Sequence, residues 1–168
     1  TYGDTSITTS FSAWDQQLTG ASASDQLGVS GLNYAGVGDL NGDGYADLVV
    51  PNQYDDTSFT DGGALHILYG PVSACGDTTA TACASARITG TSTSAFLGRM
   101  IAALGDQDGD GLDDFAAGEH VNSKVYVVHG AGSLAGTSSI TSVADATISG
   151  TLASDRLGHG LSGNGDVN

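Results

Sequence analysis

The chain has 168 residues, 19 of them acidic and only four Lys or Arg, which gives a formal net charge of −15 at pH 7. Nucleic acid is excluded as a natural partner, because there is no basic stripe to neutralise phosphates. Direct membrane insertion is not expected either, since no apolar run is long enough to cross a bilayer.

A motif near the N-terminus returns twice further along the chain. Leu18-Thr19-Gly20 is followed by Leu27-Gly28, and the same spacing recurs from residue 88 to 98 and from residue 148 to 158. Self-similarity with a period of about 60–70 residues suits a four-stranded propeller blade better than a helical solenoid. We therefore expect one unit, 1–168, in which 1–26 holds a last-type strand, 27–90 and 91–150 are blades, and 151–168 begins another.

Two acidic loops, residues 38–47 and 105–114, are copies of each other. Each has oxygen-bearing side chains at positions 1, 3, 5 and 9 and glycine at position 6. Carboxylates so close together repel one another, which favours a bound divalent cation, and calcium accepts such oxygen ligands in a tolerant geometry. Two solvated Asp/Gly turns without metal are the plain alternative. An EF-hand does not fit, because Val50 and Ala117 stand where it needs a bidentate carboxylate.

Strand-like segments follow each acidic loop. Short apolar runs at 47–51 and 114–118 leave the loops, and β-branched and aromatic residues dominate 63–70 and 123–130. No segment has a sustained 3.6-residue apolar period with caps at both ends. The sequence therefore predicts an all-β fold with almost no helix.

The two cysteines, Cys75 and Cys83, flank a short Gly/Thr/Ala stretch. We predict that they form a disulfide in an oxidising compartment, with two free thiols as the alternative. The low Lys content and the Ser/Thr/Gly-rich composition fit the same setting. A secreted or cell-surface location is expected.

The order of these motifs, Leu-Gly, then Gly-Asp-x-Asn/Asp-Gly-Asp-Gly-x-x-Asp, then an apolar strand, resembles the FG-GAP repeat. The resemblance implies four-stranded antiparallel blades of an incomplete, seven-bladed β-propeller like that of integrin α subunits and many secreted bacterial proteins. The sequence departs from the repeat at Leu27-Gly28, where Phe-Gly is common, and at Val49-Val50-Pro51, where Gly-Ala-Pro is usual.

The resemblance also implies calcium ligands. Two complete sites and a partial third are expected, and Asp113, at loop position 8, should point away from its site. The first site would use the side chains of Asp39, Asn41, Asp43 and Asp47 and the Tyr45 carbonyl; the second those of Asp106, Asp108, Asp110 and Asp114 and the Leu112 carbonyl; the third Asp166 and Asn168.

No catalytic motif is found, and the four histidines are scattered along the chain, which favours core or rim positions for them. We expect a non-catalytic extracellular calcium-binding propeller that serves adhesion or binds a protein or glycan. An accessory propeller of a larger secreted enzyme and a propeller that is itself a hydrolase are the alternatives. The expected partner is the rest of the ring, as a second polypeptide continuing after Asn168 or by self-assembly, with Thr1 near a mature N-terminus.

Overall fold

The computed structural model describes residues 18–20, 27, 35–71, 78–132 and 134–163. This part of the chain is mostly β, and its strands form two main sheets, each with four antiparallel strands, which confirms the predicted fold class. The first sheet contains β2 (Ala35–Gly38), β3 (Asp47–Asn52), β4 (Ala64–Leu68) and β6 (Ala86–Thr89); the second contains β7 (Leu97–Gly105), β8 (Asp114–Glu119), β9 (Lys124–Val128) and β11 (Ala146–Ser149).

Strand β4 shows why the apolar segments became central strands. All five of its residues are buried, since both faces of the first sheet are covered. In the described ranges helix is limited to single turns, as predicted from the missing 3.6-residue period. The turns are two α-helical ones, Ala80–Cys83 and Ile140–Val143, and two 3-10 ones, His120–Asn122 and Ala153–Asp155.

The main core lies between the two sheets. Small and branched residues of the first sheet, such as Val49 and Ile67, belong to the same buried cluster as Phe115 and Tyr126 of the second. A second cluster covers the opposite face of the first sheet, where Val50 and Leu68 meet partly buried residues that include Leu18. The first sheet is therefore enclosed on both faces.

Two short strands join one repeat to the next. Strand β10 (Gly136–Ser139) pairs in parallel with β6, so the first sheet has five strands rather than the predicted four. Strand β5 (Thr78–Thr79) pairs in parallel with β1 (Leu18–Thr19) in the same way. The sequence analysis missed this pairing, because these strands contain Gly, Thr and Ser without apolar alternation.

Each of these joining strands continues into a one-turn helix, and we call residues 78–83 and 136–143 the strand–helix segments. Thr79 and Ser139 are the N-cap residues of the two helices. The first helical residue, Ala80 in one case and Ile140 in the other, is buried. Each segment thus adds a strand to the preceding repeat and places an apolar side chain in a core.

The outer strand of the second sheet differs from that of the first. Strand β6 is buried throughout, whereas β11 is exposed throughout. Within the described residues β11 pairs only with β9, so its other edge has no strand beside it.

Candidate metal centre

Both acidic loops leave the first strand of a sheet through the same backbone conformation. Gly38 and Gly105 have φ values of 85° and 70°, and the strand register shifts next to each of them. Left-handed φ values return at Gly42 and Gly44, and at their counterparts in the second loop. The glycines therefore supply the turns that an L side chain rarely adopts.

The carboxylate at loop position 1 organises each loop. Asp39 accepts hydrogen bonds from the backbone N–H groups of Gly42, at 2.7 Å, and Gly44, at 2.8 Å. Asp106 accepts the two equivalent bonds, at 2.7 and 3.0 Å. Burial alone would raise the pKa of Asp39, but the backbone N–H groups outweigh it and lower that pKa overall. This carboxylate is therefore held ionised at neutral pH.

The carboxylate at position 9 ties each loop to the end of the third strand. Asp47 accepts hydrogen bonds from the N–H of Leu40 and the N–H of Gly70, both at 2.8 Å. Asp114 makes the matching pair at 2.7 and 2.8 Å. Burial raises the pKa of Asp47, and the nearby charges of Asp43 and Asp39 raise it further. A bound cation would offset this repulsion.

Three carboxylates of the second loop converge. Asp106, Asp108 and Asp114 each bring an oxygen atom within 4.8 Å of the other two, and in the described part of the chain no other such group is found. Calcium binds oxygen at 2.3–2.6 Å, so oxygens on opposite sides of the ion lie about 5 Å apart. The donor set and its spacing fit calcium. In the first loop the position of Asp108 is taken by Asn41, which offers an amide oxygen instead.

The other predicted ligands lie at the exposed rim of the loops. Asp43 accepts a hydrogen bond from the Tyr45 N–H at 2.9 Å, and Asp110 accepts one from the Leu112 N–H at 2.8 Å. Neither residue belongs to a convergent carboxylate group, so their role as ligands stays a prediction. Asp166 and Asn168 of the partial third site lie outside the described residues.

Asp113 connects the two loops. Its carboxylate accepts a hydrogen bond from the Asp39 N–H at 2.8 Å, and its own N–H donates to the Asp39 carbonyl at 2.9 Å. A Cβ atom on Gly38 would overlap this carboxylate, which is a second reason for glycine there. The sequence predicted only that Asp113 points away from its own loop; the contact with the other loop spans too many residues to be visible in a local pattern.

His129 is another neighbour of the second loop that sequence reasoning assigned no role. Its Nδ1 atom lies 3.2 Å from Asp108 Oδ2 and 3.9 Å from Asp145 Oδ2.

Of the predicted disulfide pair, Cys83 is disulfide-bonded, while Cys75 lies outside the described residues. The pairing of these two cysteines therefore stays a prediction.

Two antiparallel sheets with the same acidic loop between their first two strands define a repeat protein built of propeller-type blades. Residues 35–68 match the family model described as FG-GAP repeat. The match covers β2, the first acidic loop, β3 and β4. No curated protein matches the chain.

FG-GAP repeats suggest an integrin-like propeller module and occur in extracellular or surface proteins. Propeller domains built from them are generally non-catalytic. No helix in the described ranges is long and apolar enough to cross a membrane.

Proposed function

We propose that this chain is part of a secreted or cell-surface, non-catalytic β-propeller whose acidic loops bind structural calcium, and that the propeller serves adhesion or ligand binding. The convergence of Asp106, Asp108 and Asp114 is the observation that carries the proposal. The first loop lies within the FG-GAP match and makes the same hydrogen bonds as the second. We therefore extend the proposal to a second calcium ion in the first loop.

Calcium would replace carboxylate repulsion by coordination at the turn between the first two strands of each sheet. Asp47 and Asp114 also hold the N–H groups of Gly70 and Gly130 after the third strands. An ion in the loop would therefore stabilise three strands together. Because these ligands converge only in the folded chain, calcium binding and folding should be linked.

We further propose that the partner of this chain is the rest of the ring, in the same or a second polypeptide. The support is the difference between equivalent residues of the outer strands: Ile88 is 1% exposed in the core between the sheets, whereas Ile148 is 56% exposed. A further blade would supply the next strand–helix segment to the open edge of β11. Asp166 and Asn168 would begin its calcium loop.

The test of structural calcium is thermal unfolding of the chain with calcium and with chelator. At a calcium concentration 100 times the dissociation constant, each site adds about 2.7 kcal/mol of stability. Removing both ions should therefore lower Tm by roughly 10–20 °C for a chain of this size. An unchanged Tm after EDTA treatment would refute structural calcium at both loops.

Single-site variants assign the ions to their loops. Asp43→Ala and Asp110→Ala should each remove one bound ion, measured by calorimetric titration, and leave the other ion bound. Asp56→Ala is the matched control, because Asp56 is an exposed aspartate outside both loops. Loss of an ion in the control, or retention of both ions in the two loop variants, would contradict the assignment.

A further inference from the structure

A group of cationic and aromatic side chains gathers at the end of the sheets opposite to the acidic loops. Strand β3 leaves the first acidic loop and runs toward Tyr54. Strand β7 begins directly after Phe96 and runs into the second acidic loop, and β8 leaves that loop and ends just before His120. His159 comes from the next repeat, whose Gly158 packs against Gly118. We call the group the basic aromatic cluster; it consists of Tyr54, Phe96, Arg99, His120, Arg156 and His159.

Five members of the cluster form a continuous row. Tyr54 meets Phe96 edge to face with ring centroids 5.6 Å apart, and Phe96 lies 5.8 Å from His120. The ring of His120 is 5.4 Å from that of His159. An Arg99 guanidinium nitrogen is 3.4 Å from His159 Nε2. The rings and cations thus present one surface, built from both repeats.

The cluster is positively charged on a strongly acidic chain. It contains two of the four Lys and Arg residues, and in the described part of the chain neither Arg99 nor Arg156 forms a salt bridge. The nearby Glu119 is fully buried, and its oxygens accept hydrogen bonds from Thr91 and Tyr126. No described carboxylate therefore forms a direct ion pair with either arginine.

The positive charges of the cluster act on His120. Burial lowers the pKa of His120, and the charges of Arg99, His159 and Arg156 lower it further. His120 Nδ1 is a buried atom without a hydrogen-bond partner. Like charges gathered without a counter-ion are costly. An external anion would offset that cost.

The backbone holds two members of the cluster in an unusual conformation. Phe96 and Arg156 occupy the same repeat position, directly before Leu-Gly, and have φ values of 54° and 51°. The left-handed region is unfavourable for bulky residues and is enriched at binding sites. The same backbone conformation thus holds the Phe96 ring in one repeat and the Arg156 guanidinium in the next.

We propose that the basic aromatic cluster binds a uronate unit of an acidic polysaccharide. The guanidinium groups of Arg99 and Arg156 offer the planar N–H pairs that match a carboxylate. The partly exposed rings of Tyr54 and Phe96 offer apolar surface for the C–H face of a sugar ring. An extended polysaccharide suits a shallow row of side chains better than a folded protein, which needs a broad interface.

The experiment titrates the full chain in millimolar calcium with trigalacturonate, an acidic trisaccharide, and with maltotriose, its uncharged counterpart. Binding is followed by the NMR signals of the His120 and His159 rings, which separates sugar at the cluster from sugar bridged by calcium to the acidic loops. Trigalacturonate should shift both rings, more weakly as salt is added. Unmoved rings, or equal binding of maltotriose, would overturn the proposal.

Variants test the cations. Arg99→Gln should weaken trigalacturonate binding about tenfold or more, as expected for loss of a charged hydrogen-bond pair. His159→Gln provides a second test at the exposed rim. Lys124→Gln is the matched control, because Lys124 carries the same charge and is not among the groups that act on His120. Equal weakening in the control would overturn the proposal, as would equal binding of triglutamate, which would assign the surface to acidic peptides instead.

Discussion

The outer strands of the two sheets have related sequences but different surroundings. Ile88 and Ile148 occupy the same position in β6 and β11, yet the first is buried and the second is mostly exposed. The difference lies in what covers each strand: β6 packs in the core between the sheets and has β10 at its edge, whereas β11 is exposed and, within the described residues, has no strand at its outer edge. The outer strand of a blade therefore joins the core only when the next repeat covers it.

The largest expected effect concerns an ion pair at β6, the covered outer strand. Arg87 of β6 is paired with Asp55, and both side chains are nearly buried. Asp55→Ala leaves the Arg87 charge buried and unpaired, which should destabilise the chain by about 3–5 kcal/mol in urea unfolding. Thr147→Ala, at the equivalent exposed position of β11, should change stability by less than about 0.5 kcal/mol.

A second substitution separates the loss of charge pairing from general damage at this edge. The double variant Asp55→Ala/Arg87→Met removes both charges and should recover much of the lost stability. If the double variant is no more stable than Asp55→Ala, the ion pair is not the reason for the loss.

The next effect tests burial directly. Ile88→Ala should lower the free energy of unfolding by about 2–4 kcal/mol, because it opens a cavity in the core between the sheets. Ile148→Ala should have almost no effect, since its side chain is mostly exposed. Chemical denaturation of the two variants compares them under identical conditions. Equal losses would mean that β11 is covered in solution.

The smallest effect concerns the strand–helix segments themselves. Thr79 Oγ1 accepts a hydrogen bond from the Ala82 N–H at 3.1 Å, whereas Ser139 makes no side-chain cap bond. Thr79→Ala should cost about 1 kcal/mol and Ser139→Ala clearly less, judged from their urea midpoints. A larger loss for Ser139→Ala would show that the two segments are not held in the same way.

The elements that sequence reasoning predicted correctly are those with a local signal. The apolar segments after each acidic loop became β3 and β8, because they contain few turn residues and lie buried on both faces. The acidic loops were identified by spacing alone, and the convergence of Asp106, Asp108 and Asp114 agrees with that interpretation. Binding of calcium there stays a prediction.

The features that were missed all depend on contacts between distant residues. The segment 136–139 reads as a loop, since its stability as a strand comes from β6 and not from its own composition. Asp113 contacts Asp39 across more than a full repeat. His120 and His159 were assigned to core or rim positions one at a time, and only the folded chain brings them together beside Arg99.

The parallel pairing of β10 with β6 also has a consequence for synthesis on the ribosome. The edge of β6 is complete at Thr89, but its cover begins only at Gly136. At about 5–20 residues per second, each new blade keeps an unprotected edge for several seconds before the emerging polypeptide closes it. During synthesis the unpaired edge therefore passes from each finished blade to the next one. A translational pause between an outer strand and the strand that pairs with it would lengthen the time in which that edge can misassemble.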